Sequence, residues 1–128
     1  MEELHTLLKR AAIPPPYILV GHSFGGLTMP LFAARFSDEV AGMVLVDPVA
    51  AAEWNPPSEH DLKLTRTAPE RRRAEHAAIA ARLPKGEHVF AENSNHWIMQ
   101  EAPHLVIRAI EKVIHDSEKV ATQSMSAR

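Results

Sequence analysis

Residues Tyr17 to Gly26 read YILVGHSFGG, and the rest of the chain is organised around them. Tyr17, Ile18, Leu19 and Val20 form an unbroken apolar run, which predicts a strand buried on both faces, because a half-exposed strand alternates apolar with polar residues. The run stops at Gly21, and Gly26, Leu27, Pro30, Leu31, Phe32, Ala33 and Ala34 continue as an apolar helix, with a kink expected at Pro30. Between them lies a serine flanked by glycines. A serine at the apex of a sharp strand-to-helix turn is forced into strained backbone geometry, so the residues two before and two after it, Gly21 and Gly25, are expected to be small for steric reasons. The same turn places the hydroxyl of Ser23 at a helix N-terminus, where backbone N–H groups stabilise an oxyanion. A bare G-x-S-x-G arises by chance in roughly one chain in thirty of this length. The placement between a buried strand and an apolar helix, not the pattern, is what makes Ser23 a candidate nucleophile; the alternative is a tight glycine turn with an inert serine.

With these residues in view the chain resembles the α/β-hydrolase superfamily. The resemblance runs through PYILVGHSFGGL, the strand VAGMVLVDPV and SNHWIMQEAPHLVIRAIEKVI, and is to the C-terminal half of a typical member. It implies an α/β fold, here a minimal or truncated one: a three-strand parallel sheet flanked by about four helices in a single domain over residues 1–128.

Composition agrees with one globular domain. The chain has 128 residues, 45% of them hydrophobic and 23% charged, and a formal net charge of −2, which argues against nucleic acid or an anionic membrane as a partner. With no cysteine, disulfides, a thiol nucleophile and thiolate metal sites are excluded, and a reducing compartment fits. The opening MEELHTLLKR is acidic and amphipathic, unlike a signal peptide, and no apolar run approaches the ~20 residues of a membrane span. A cytoplasmic location is expected.

Leu4, Leu7, Leu8, Ala11 and Ala12 recur at helical spacing, so residues 2–12 predict an amphipathic helix that Pro14, Pro15 and Pro16 end. Met43 to Val46 predict a second doubly buried strand, closing a parallel βαβ unit whose functional loops lie at the carboxyl ends of its strands. Residues 49–66 predict a loop or short cap. Thr67 with Glu70 resembles a capping box for a helix carrying Ala74, Ala77, Ala78 and Ala81, which Pro84 and Gly86 end. His88 to Ala91 predict the third strand. Leu105, Val106, Ala109, Ile110, Val113 and Ile114 mark a final helix, with a frayed tail from about Ser117.

A serine needs a base to take its proton and a third group to fix that base. The order Ser23, Asp47, His96 matches the serine, acid, histidine order of the family, and all three follow predicted strands. His96 resembles the catalytic histidine; the alternative is a surface histidine capping a carbonyl. Asp47 follows VLV as the acid follows strand six in pancreatic-type lipases; the alternative is a turn cap, since Asp-Pro is also a turn signal. Asp61 and Glu53 are reserve acids, and Glu92 is a candidate partner of His96. His22 is expected to point into the core, and the remaining histidines show no ligand spacing, so no metal or other cofactor is expected. By resemblance, the backbone N–H of Phe24 is the first oxyanion donor, while the loop that supplies the second belongs to an early strand this sequence lacks. Trp54 and Trp97 are candidate substrate contacts, and Arg71, Arg72 and Arg73 read as a solvated helix face.

The resulting expectation is a modest serine esterase for short-chain carboxylic esters. Its rivals are a non-catalytic remnant or split-enzyme half acting as an interaction module, and an acyltransferase with the same triad. An uncovered sheet edge predicts self-association, as a homodimer.

Overall fold

The computed structural model of the protein describes residues 1–49, 68–83 and 85–126. In order these form helix α1 (Glu2–Arg10), strand β1 (Tyr17–His22), helix α2 (Gly25–Arg35), a 3₁₀ turn (Ser37–Glu39), strand β2 (Val40–Val46), helix α3 (Ala68–Ala81), the short helix α4 (Ile98–Glu101) and helix α5 (Pro103–Ser126). Trp54, Glu53 and Asp61 lie outside the described residues.

β1 and β2 pair in parallel, with Leu19 opposite Met43 and His22 opposite Val46. Side chains alternate across a strand, so Tyr17, Leu19 and Gly21 face one side, and Ile18, Val20 and His22 the other. On the first side Tyr17, Leu19 and Phe32 form the buried core, packed by Leu4 and Leu8 of α1, Met29 and Ala33 of α2, and Met43. Phe32 is fully buried, and the Tyr17 hydroxyl donates to the Ile13 carbonyl at 3.0 Å. His5 of α1 stacks on Phe36 with ring centres 3.9 Å apart and hydrogen-bonds Glu39, tying the first helix to the turn before β2.

Helix α5 covers the second side. It packs mainly on β2, where a Cβ added at Gly42 would stand 2.3 Å from Val113 Cγ1; the missing side chain is what lets the helix approach. Val44 and Val46 are buried. Because α5 leans over β2 and barely touches β1, Val20 is left 46% exposed, so β1 is not the doubly buried strand its apolar run predicts.

Two further expectations are corrected. The sheet among the described residues has two strands and not three, with five helices about it. Residues 87–91 form an irregular segment, in which Val89 and Phe90 are exposed, and Phe90 lies under the Arg73 guanidinium at 3.4 Å. Among the described residues this short run joins its neighbours through side chains, Phe90 to Arg73 of α3 and Glu87 to Lys112 of α5, and no backbone ladder reaches it. The last helix continues past Ser117 to Ser126. Lys112 pairs with Asp116 one turn on, a spacing that supports a helix, while Ser117 and Thr122 donate to the carbonyls of Ile114 and Glu118.

Candidate active site

Ser23 sits between the end of β1 and the start of α2 with φ of 54°, a left-handed conformation that costs a non-glycine residue about 1–2 kcal/mol. Hydrogen bonds hold it there: its N–H donates to the Val46 carbonyl at 3.1 Å, and its carbonyl accepts from Gly26 at 2.8 Å and Val49 at 3.0 Å. The serine turn is thereby stitched to the loop that follows β2. Phe24 is the N-cap of α2, the position expected of an oxyanion donor.

The steric demand for small residues falls differently from the sequence expectation. A Cβ at Gly21 would meet the Gly25 carbonyl oxygen at 2.5 Å and Met29 Cγ at 2.8 Å, so Gly21 is required. A Cβ at Gly25 would meet nothing within 4 Å. Gly26 carries the second constraint, because its Cβ would lie 2.1 Å from Pro48 Cβ.

Asp47 follows β2 directly, also left-handed with φ of 38°, a conformation aspartate tolerates better than most residues. Its side chain is 12% exposed, and a carboxylate so far removed from water needs partners. His96 Nδ1 lies 2.6 Å from Asp47 Oδ2, and Arg72 Nη1 of α3 lies 3.9 Å from the same oxygen. One arginine of the triple run is thus an ion-pair partner of Asp47 and another covers Phe90, a role that their charge alone does not reveal. His76, also on α3, bonds the Pro48 carbonyl at 2.8 Å.

The loop before α4 presents His96. Glu101 fixes it from within, accepting from the Ser94 hydroxyl at 3.0 Å and from the Asn95 backbone and side-chain amides. These bonds, led by that from the Asn95 backbone, hold the Glu101 carboxyl below the usual range. Glu92, the residue expected to support His96, is exposed and makes no bond to it. His22 does: its Nε2 lies 2.9 Å from the His96 carbonyl oxygen, with ring centres 4.4 Å apart. The strand alternation, which turns residue 22 away from the Tyr17–Leu19 face, was the sequence signal for this placement. Trp97 is half-exposed and flanks both imidazoles, 5.4 Å from His22 and 5.5 Å from His96.

Asp47 and His96 are therefore joined, and the serine turn is bonded to the loop that follows β2. Among the described residues no hydrogen bond joins Ser23 Oγ to His96. Two surface depressions, one lined by Lys9, Ile13, Tyr17 and Glu39 and one by His115, Glu118 and Lys119, include none of the three residues. No group of three or more metal-ligating side chains occurs among the described residues, and no helix among them is long and apolar enough to cross a membrane.

The α/β-hydrolase fold family model matches residues 2–73, more than half of the chain, and the protein belongs to that family. It is 44% identical over 48 residues to the uncharacterized protein YqjL of Bacillus subtilis, a match covering 38% of this chain and 19% of that protein. It is 45% identical over 47 residues to the uncharacterized protein C23C11.06c of Schizosaccharomyces pombe, covering 37% of this chain and 9% of that protein. The chain thus spans less than a fifth of the length of these relatives. No solved structure matches it at a significant level.

Proposed function

We propose that the chain is a serine hydrolase acting on short-chain carboxylic esters. The observation that carries this reading is the 2.6 Å bond between His96 Nδ1 and Asp47 Oδ2, which leaves Nε2 of the same ring for a proton from Ser23. Ser23 Oγ attacks the ester carbonyl as its proton passes to His96. The oxyanion faces the backbone N–H of Phe24, and the imidazolium, stabilised by Asp47, gives its proton to the departing alcohol. Water, deprotonated by His96, then releases the acid and regenerates Ser23. With a single oxyanion donor assigned, turnover is modest, since one donor is worth ~10²–10³ in rate. Trp97, and Trp54 from the connection after β2, are the proposed substrate contacts, and a short connection in place of a full lid favours acetate and butyrate over long acyl chains.

The test is hydrolysis of p-nitrophenyl acetate and butyrate by the parent beside Ser23→Ala. Turnover by the parent alone supports the reading; equal rates contradict it. Product analysis with added alcohols separates hydrolysis from acyl transfer.

A specific observation favours a second reading, a remnant or split half of a larger hydrolase: the sheet among the described residues ends at β1, and the chain spans a small share of its relatives. The same open edge underlies our proposal of a homodimer in the cytoplasm. Light scattering that gives a monomer mass at high concentration contradicts the dimer.

A further inference from the structure

We propose that His22 is a positioning residue, whose Nε2–H clamps the His96 loop onto the nucleophile turn. This inference rests on the serine-hydrolase reading. A carbonyl oxygen only accepts, so the 2.9 Å contact from His22 Nε2 to the His96 carbonyl requires a proton on Nε2 whether the ring is neutral or charged. The clamp matters because of what the loop lacks. Among the described residues, 87–91 pair with no strand, so no ladder of backbone hydrogen bonds there aligns the segment that leads to His96. The bonds made by Glu101 with Ser94 and Asn95 are internal to the loop and its following helix, and fix its shape without fixing its place. Two side chains bind His96 to the ends of the two strands: Asp47 through the imidazole and His22 through the main chain. His22 is also the residue before Ser23, so one side chain couples the position of the base to that of the nucleophile. Its ring lies against His96 at 4.4 Å and against Trp97 at 5.4 Å, closing the loop over the end of β1.

Two substitutions separate the donor from the ring. His22→Phe keeps a planar ring and loses the N–H; His22→Gln keeps an N–H at nearly the position of Nε2. The expected result is that His22→Phe lowers kcat for p-nitrophenyl butyrate about ten- to a hundredfold with little change in KM, as for a base displaced by about 1 Å, and that His22→Gln recovers most of the loss. Nuclear magnetic resonance supplies a readout independent of turnover. The Trp97 indole N–H and His96 amide resonances, single and sharp in the parent and in His22→Gln, are expected to broaden or split in His22→Phe. If the parent proves inert, the hydrolase reading fails and this spectrum decides the clamp alone. Should His22→Phe not fold, the nitrogen shifts of His22 in the parent decide it, since a neutral ring protonated at Nδ1 and bare at Nε2 has no proton for the bond. The clamp is overturned by that tautomer, by a His22→Phe protein equal to the parent in rate and spectrum, or by a His22→Gln protein as impaired as His22→Phe.

Discussion

Asp47 Oδ2 lies 2.6 Å from His96 Nδ1, across 49 residues of sequence, and this contact joins the loop after β2 to the loop before α4. Its chemical content is an orientation: the carboxylate only accepts, so Nδ1 carries the proton, and a neutral ring then has its lone pair on Nε2. Asp47→Asn leaves the shape and removes the charge, and on the proposed mechanism kcat falls by about four orders of magnitude, as expected when the base takes the wrong tautomer. Steady-state kinetics on p-nitrophenyl butyrate check it. Asp47 as a mere turn cap predicts an effect within a few-fold.

The glycines about Ser23 divide by what surrounds them. Gly21→Ala and Gly26→Ala place a methyl group within 2.5 Å and 2.1 Å of neighbouring atoms, and each is expected to cost about 1–3 kcal/mol. Gly25→Ala meets open space at the first position of α2 and is expected to be neutral or stabilising by up to about 1 kcal/mol. Urea denaturation of the three proteins measures the contrast.

Gly42 and Val113 form a matched pair between β2 and α5. Gly42→Ala alone is expected to destabilise by about 1–3 kcal/mol through overpacking, and adding Val113→Ala to relieve the clash. A double-mutant cycle should show coupling above about 0.5 kcal/mol; additive changes would mean that α5 does not seat on Gly42.

His88 carries a pH dependence. Partial burial, then the neighbouring charges of His76 and Arg73, hold its imidazole below the usual histidine value of 6.5. The unfolded chain therefore takes up this proton more readily than the folded one, so stability is full above pH 6.5 and declines as pH falls below it. The urea midpoint should drop between about pH 7.5 and about pH 5.5, and His88→Gln should flatten that drop.

What the sequence showed and hid follows from where the information is local. The strand-turn-helix about Ser23 was legible because every residue from Tyr17 to Phe32 speaks for it: an apolar run, glycines at the turn, an apolar helix. Asp47 and His96 were legible as candidates from their order behind apolar segments, but their bond was not, since it depends on two loops meeting. The segment from His88 to Ala91 illustrates the converse. Four residues with strand-like composition pair only if a neighbouring edge reaches them, and here Phe90 turns to Arg73 instead. Arg72 reads as solvated because a charge run carries no hint of a partly buried carboxylate 3.9 Å away. The position of His22 in the glycine turn suggests a ring in the core, whereas counting along β1 from Tyr17 places it on the side opposite the Tyr17–Leu19 core.

The most direct test of the central claim is covalent capture of the nucleophile. A fluorophosphonate ester transfers its phosphonyl group to an activated serine, forming an oxygen–phosphorus bond as fluoride leaves, and intact-mass and peptide spectrometry locate the adduct. The account predicts one adduct, on Ser23, absent from Ser23→Ala and strongly slowed in Asp47→Asn. An unmodified parent, or an adduct formed as readily in Asp47→Asn or on another residue, would contradict it.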